Sequence, residues 1–190
     1  MLFIVKAQDT AIPWLSITTK LVAEVFSGVG DGSVIRNMLA AMAYRGPDGI
    51  GQWYDGNNLY LGHVRLSIVD IETGHQPLVT PDESLAVVFN GEIYNFVDLR
   101  NYTEKKGHIY KTNSDTEVII KLYKQFGDES FKMLSGIFAF AIWNESTSEL
   151  KLVRDIVGVK PLYYYHDIKN KKFYFSSLIK PILLSKNDNL

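Results

Sequence analysis

Several short stretches of this chain hold side chains in groupings that chemistry could use. In FNGEIYN (89–95) an apolar run delivers Asn90 and Gly91. A side-chain amide beside a glycine N–H makes a pair of donors suited to a developing oxyanion. Asn-Gly is also the commonest hairpin-turn dipeptide, so a plain turn explains the same two residues. In GHVRLSIVD (62–70) Arg65 sits inside an apolar run, where a guanidinium needs a partner. It could grip a substrate carboxylate through two parallel hydrogen bonds, or close an internal salt bridge with Asp70 or Glu92. In SDTE (114–117) Ser114 and Glu117 have the spacing of a helix capping box, and Asp115 between them could meet an ammonium group. SGVGDGS (27–33) follows a strand-like run and precedes a helical one. It lacks the last glycine of G-x-G-x-x-G and the lysine of a P-loop, so it reads as a turn and not as a phosphate cradle.

The bulk composition narrows the setting. A chain of 190 residues can bury one real core. Its apolar fraction of 46% and charged fraction of 22% are those of a globular domain. A net charge of −1 gives no electrostatic reason to expect nucleic acid or an anionic membrane as partner. The sequence has no cysteine, which excludes disulfides and thiolate metal sites. The histidines at 63, 75, 108 and 166 have no metal-ligand spacing and read as structural. No run reaches the length of a membrane span, and the short apolar start lacks a basic leader. A cytoplasmic location is expected.

The elements that would position these groups follow from periodicity. LVAEVF (21–26) and SLAVVF (84–89) read as buried strands. NLYLGHVRLSIVD (58–70) suggests one or two more, and IFAFAIWN, ELKLVRD, LYYYH and KFYFSS are strand-like in their β-branched and aromatic content. SVIRNMLAAMAY (33–44) has apolar residues at helical spacing with Ser33 as N-cap, and RGPDGIG (45–51) reads as a turn. Helices are also predicted over 95–107 and 114–127, each stopped by glycine. Two sheets packed face to face, with helices outside, would bury such strands on both faces. Residues 1–20 resemble nothing that follows and read as an atypical N-terminal extension. Residues 21–184 read as one domain, and 185–190 as a frayed tail.

Taken together, AAMAYRGPDG (40–49), LGHVRLSIVD (61–70), GHQPL (74–78), FNGEIYN, NSDTEVI (113–119), LSGIFAFAIWN (134–144), RDIVGVKPLYY (154–164) and FSSLIK (175–180) stand in order at natural spacing. They resemble the class-II glutamine amidotransferase domain of the asparagine synthetase family. The resemblance implies an α+β, N-terminal-nucleophile (Ntn) hydrolase-like four-layer αββα sandwich of two antiparallel sheets. It implies glutamine as ligand and its hydrolysis to glutamate and ammonia. By the same resemblance Arg65 binds the α-carboxylate, and Leu66, Ser67, Ile68 and Val69 line the pocket wall. Asn90 and Gly91 form the oxyanion hole, Glu92 borders the substrate, and Asp115 takes the α-amino group.

The chain departs from the family at the point that matters most. Family members expose an N-terminal cysteine whose own amine serves as base. Alignment on Ala23–Phe26 puts Thr19 at the family's methionine and Lys20 at the nucleophile. Glu24 replaces a glycine, and Leu178 stands where a glutamate is usual. No S-G-G-x-D-S pyrophosphate loop occurs, so ATP and Mg would belong to a missing synthetase domain and no cofactor is expected here. The expectation is a truncated domain inactive in glutamine hydrolysis. Two alternatives stand beside it: a non-enzymatic glutamine-binding or subunit-docking module, and a hydrolase using a Thr19 exposed by processing. A separate synthetase subunit or a homodimer is the partner expected.

Overall fold

The computed structural model describes residues 2–6, 21–26, 32–57, 59–66 and 74–185. In chain order the elements are β1 (Leu2–Lys6), β2 (Leu21–Phe26), α1 (Ser33–Ala40), β3 (Gly49–Tyr54), β4 (Leu59–Arg65), β5 (Leu78–Val79) and β6 (Leu85–Ile93). They continue with α2 (Phe96–Glu104), α3 (Asp115–Phe126), β7 (Gly136–Asn144), β8 (Glu149–Arg154), β9 (Tyr163–Asp167), β10 (Lys172–Ser176) and α4 (Ile179–Ser185). Short 3-10 turns occupy Ala43–Arg45 and Gly127–Met133.

The strands form two five-stranded sheets with orders β1-β8-β7-β6-β5 and β3-β4-β2-β10-β9. Their strand pairs are antiparallel. Because side chains alternate along a strand, each sheet offers a different residue set to each of its faces. On β6, Ala86 and Val88 point between the sheets, where they meet Trp143, Leu152, Leu61 and Phe175. Leu85, Val87 and Phe89 point the other way, onto Val118, Leu122 and Phe140 beneath α2 and α3. Across the second sheet, Ile35, Met38, Leu39 and Met42 bury the inner face of α1 against Val64, Tyr174 and Ile182. Three apolar interiors thus separate four layers, as the expected αββα sandwich requires. Gly62 on β4 lets α1 settle close, since a Cβ there would touch Leu39 and Ile35 at 3.0–3.1 Å.

Several local expectations need correction. Residues 49–54, half of them read as a turn, are strand β3, paired with β4 from Gly49↔Arg65 to Tyr54↔Tyr60. Gly49 and Gly51 carry the look of a turn in sequence, yet Gly51 is there because a Cβ would collide with the carbonyl oxygen of Gln76. FNGEIYN is not a hairpin turn. β6 runs straight through Asn90 and Gly91 to Ile93, paired with Ala139, Phe138 and Gly136. The N-cap of α1 is Gly32 at φ 71°, with Ser33 already helical. Leu2–Lys6, within the segment set apart by sequence, pair with β8 from Leu2↔Val153 to Lys6↔Glu149. Ser185, assigned to the tail, closes α4 and is buried. Among the described residues no helix is long and apolar enough to cross a membrane.

Candidate active site

The last residue of β4, the middle of β6 and the first turn of α3 converge on one cleft of about 170 Å³. Its walls include Arg65, Leu66, Asn90, Gly91, Glu92 and Asp115. Six of the residues singled out in the sequence, distant along the chain and drawn from both sheets and a helix, therefore face one space. Ser67, Ile68, Val69, Thr19 and Lys20 lie outside the described residues, as does most of the glycine-rich stretch 27–33.

The geometry of β6 explains how backbone donors come to face the cleft. N–H groups alternate between the two edges of a strand. The Phe89 N–H leaves the β7 side and donates to Gln76 Oε1 at 2.6 Å. The Ile93 N–H, four residues on, donates to Asp115 Oδ2 at 3.1 Å. Gly91 lies midway between them, so the alternation turns its N–H to this same edge, into the cleft. Gly91 has φ 149°, and a Cβ there would collide with the Ile137 carbonyl oxygen. Only glycine satisfies both constraints. On the opposite strand a Cβ on Gly136, at φ 155°, would collide in the same way with the Glu92 carbonyl oxygen.

Asp115 opens α3, and its carboxylate is buried. Desolvation by burial raises its pKa above 3.8; the N–H groups of Ile93 and Thr116 oppose that rise, and the charge of Glu92 adds to it. Ser114 is the N-cap, its hydroxyl accepting the Thr116 N–H at 3.1 Å. The predicted capping box does not form, since Ser114 caps Thr116 and not Glu117. Glu117 does not return to Ser114; its buried carboxylate accepts the N–H groups of Lys111 and Thr112 and the Thr112 hydroxyl, at 2.8–3.0 Å through Oε2. Thr112 Oγ1 in turn accepts the Ser114 N–H at 3.2 Å. Glu117 therefore moors the loop before α3, which leaves Asp115 as the acid of this motif on the cleft wall, between Ser114 and Thr116.

Sequence reasoning gave no role to other residues of the wall. His63, read as structural, is buried on β4 and lines the cleft beside Arg65. Lys160 lines it too. The loop carrying Lys160 is held by Asp155, whose carboxylate accepts the N–H groups of Val159 at 3.1 Å and Phe138 at 3.2 Å. Gln76 stood in a quoted motif without a function. Leu178, noted as a departure, packs against the cluster under α1 and α4. Among the described residues no group of three or more His, Asp or Glu side chains could hold a metal ion.

The cleft joins a cationic side, acidic groups and a donor pair within one strand-edge site, which suits a zwitterionic ligand carrying a polar carbonyl. The family model for the glutamine amidotransferase domain matches residues 21–189. The chain belongs to that family. Its relatives include asparagine synthetase [glutamine-hydrolyzing] 1 of Bacillus subtilis, 42% identical over 82% of this chain and 24% of the relative. Putative asparagine synthetase [glutamine-hydrolyzing] 2 of Methanocaldococcus jannaschii is 39% identical over 82% of this chain and 33% of its own length. The amidotransferase domain thus spans a third or less of these relatives. In three dimensions it resembles glutamine phosphoribosylpyrophosphate amidotransferase from B. subtilis, at a TM-score of 0.71 and 24% identity, over 87% of this chain and 43% of that one. That likeness shows the fold, an Ntn hydrolase-like sandwich. This is a class-II glutamine amidotransferase domain related to those of asparagine synthetases.

Proposed function

We propose that the cleft binds L-glutamine and that the chain as written does not hydrolyse it. Arg65 would take the α-carboxylate and Asp115 the α-ammonium. Leu66 and Glu92 would border the ligand, and Asn90 with the Gly91 N–H would receive the side-chain carbonyl oxygen. By the family resemblance Ser67, Ile68 and Val69, which lie outside the described residues, would border the ligand as well. The observation that carries the proposal is the pairing of this donor and acceptor set with a sequence that contains no cysteine. An oxyanion site stabilises a tetrahedral intermediate, but it forms none without an attacking atom. Lys20, at the aligned nucleophile position, has an amide nitrogen and not a free α-amine.

On the same reading the domain works in the cytoplasm, without nucleic acid or membrane, and serves as a glutamine-binding or docking module for a synthetase subunit or a second copy. ATP and Mg would belong to that synthetase and not to this cleft. The relatives' names, asparagine synthetase [glutamine-hydrolyzing], support glutamine as the ligand of this cleft.

Calorimetric titration with L-glutamine, paired with glutamate release followed over hours, tests both halves. Saturable binding with release no faster than a buffer blank is expected. Release above the blank overturns the claim of inactivity and points to a processed nucleophile such as Thr19. Absence of binding overturns the ligand.

A further inference from the structure

We infer that Gln76 is a positioning residue that sets the open edge of β6 for the ligand, an inference that rests on the glutamine reading of the cleft. β5 is only two residues long and pairs Leu78↔Val87 and Val79↔Ala86. Continued backwards, that register brings position 76 opposite Phe89. Pro77 intervenes and has no N–H to donate. The backbone of Gln76 does not carry the ladder on, because its carbonyl oxygen is turned towards β3, against Gly51. Its side chain takes over, and Oε1 accepts the Phe89 N–H at 2.6 Å. The other end of the same amide reaches α3, where Nε2 lies 3.4 Å from Thr116 Oγ1.

One side chain therefore holds one of the two N–H groups that frame Gly91 and reaches the neighbour of the residue that holds the other. On one side it fixes Phe89, two residues before Gly91. On the other it braces Thr116, the neighbour of Asp115, whose carboxylate fixes Ile93 two residues after Gly91. The Gly91 N–H stands between two occupied positions on the strand edge. Without the Gln76 amide, Phe89 loses its acceptor, and the edge can shift relative to α3. Gln76 also lies on the cleft wall itself, so its displacement reshapes the space that the ligand's amide would enter. A packing role alone would need only its volume, whereas this role needs an acceptor and a donor on one planar group.

The full chain is compared with Gln76→Leu, Gln76→Glu and Thr116→Val. Leu keeps the bulk and removes both hydrogen bonds; Glu restores the acceptor for Phe89; Val cuts only the link to α3. Hydrogen exchange and amide NMR are read at Phe89, Gly91 and Ile93, and L-glutamine affinity by calorimetry. Gln76→Leu should lose Phe89 protection at least tenfold, shift the Gly91 resonance and weaken glutamine about tenfold. Gln76→Glu should recover the Phe89 protection, and Thr116→Val should perturb Ile93 more than Phe89. Unchanged Phe89 and Gly91 amides in a folded Gln76→Leu chain overturn the inference, as does recovery by bulk alone. If the unsubstituted chain binds no glutamine, the ligand reading falls while the amide data still decide whether Gln76 holds the edge.

Discussion

Asp115 accepts the backbone N–H of Ile93 at 3.1 Å, which stitches the first residue of α3 to the strand that carries Asn90 and Gly91. The bond offsets part of what burying this carboxylate costs. Burial raises the Asp115 pKa, so the folded chain holds that proton more tightly than the unfolded chain does. The contribution of Asp115 to stability is then largest below pH 3.8 and declines as pH rises through the raised folded value. Asp115→Asn removes the buried charge and keeps an oxygen for Ile93. Its melting temperature should equal or exceed that of the parent at neutral pH, with the gap opening as pH rises through that window. Glutamine affinity should fall by roughly thirtyfold or more, as for a truncated buried charge pair. A variant that is less stable at pH 7 than at pH 4, relative to the parent, contradicts this assignment.

The same carboxylate sets a pH dependence on binding. Only ionised Asp115 attracts an ammonium group. Glutamine affinity should therefore weaken as pH falls through the raised pKa of Asp115, and it should do so above the range of an ordinary aspartate. Calorimetric titrations at a series of pH values, with Asp115→Asn as the reference that lacks the acid limb, measure it.

Gly91→Ala and Gly136→Ala probe the β6–β7 ladder on either side of the Glu92↔Ile137 pair. Each places a side chain at a φ that favours glycine, a penalty of about 1–3 kcal/mol, and drives a Cβ into a carbonyl of the opposite strand. Urea titrations should show both variants destabilised by at least that much. The double variant should fall short of the sum, because the two sites share a ladder. Additive losses would mean that the two glycines act independently.

Glu117→Gln tests the mooring of the loop before α3. The amide can accept only through one oxygen, while the present carboxylate serves Lys111, Thr112 and Lys121. A loss of about 1–3 kcal/mol is expected from an incompletely satisfied buried polar group. Glutamine affinity measured well below the melting temperature should change little, since Glu117 faces the loop. An affinity loss as large as that of Asp115→Asn would assign Glu117 to the cleft.

Restoration of the missing nucleophile tests the proposed inactivity directly. A chain that starts with Met at position 19, carries Lys20→Cys and Glu24→Gly, and is processed to expose the cysteine should release glutamate from glutamine. The same chain with Asn90→Ala should lose about a hundredfold of that rate, the scale of a removed oxyanion donor. Zero release from the processed cysteine chain would show that more than the nucleophile is lost.

Long periodic segments were legible in the sequence because their burial is local. The helical spacing of Ile35, Met38, Leu39 and Met42 and the apolar runs of β6, β7 and β8 each name their own buried face. Arg65, Asn90, Gly91 and Asp115 were legible through motif and chemistry, and the fold brings them together. What escaped was set by partners remote in sequence. β3 was hidden because Gly51 answers to the Gln76 carbonyl, 25 positions away in the sequence. FNGEIYN looked like a turn because Asn-Gly obeys local rules, whereas the pairing with Phe138 and Ala139 overrides them. Gln76, His63 and Lys160 carry no local pattern that distinguishes a cleft residue from any other polar side chain.

The division of β6 between two interiors has a consequence for how the molecule comes apart. Leu85, Val87 and Phe89 belong with the outer helices, while Ala86 and Val88 belong to the space between the sheets. A partial opening that lifts α2 and α3 would carry Asp115 away and leave Arg65 and the inner strands clamped. Such sub-global openings occur at lower free energy than complete unfolding. A bound amino acid that spans Arg65 on one sheet and Asp115 on the helix would act as a rivet between two cooperative units, and its largest effect would be on hydrogen exchange in α3, far more than on the strands behind it.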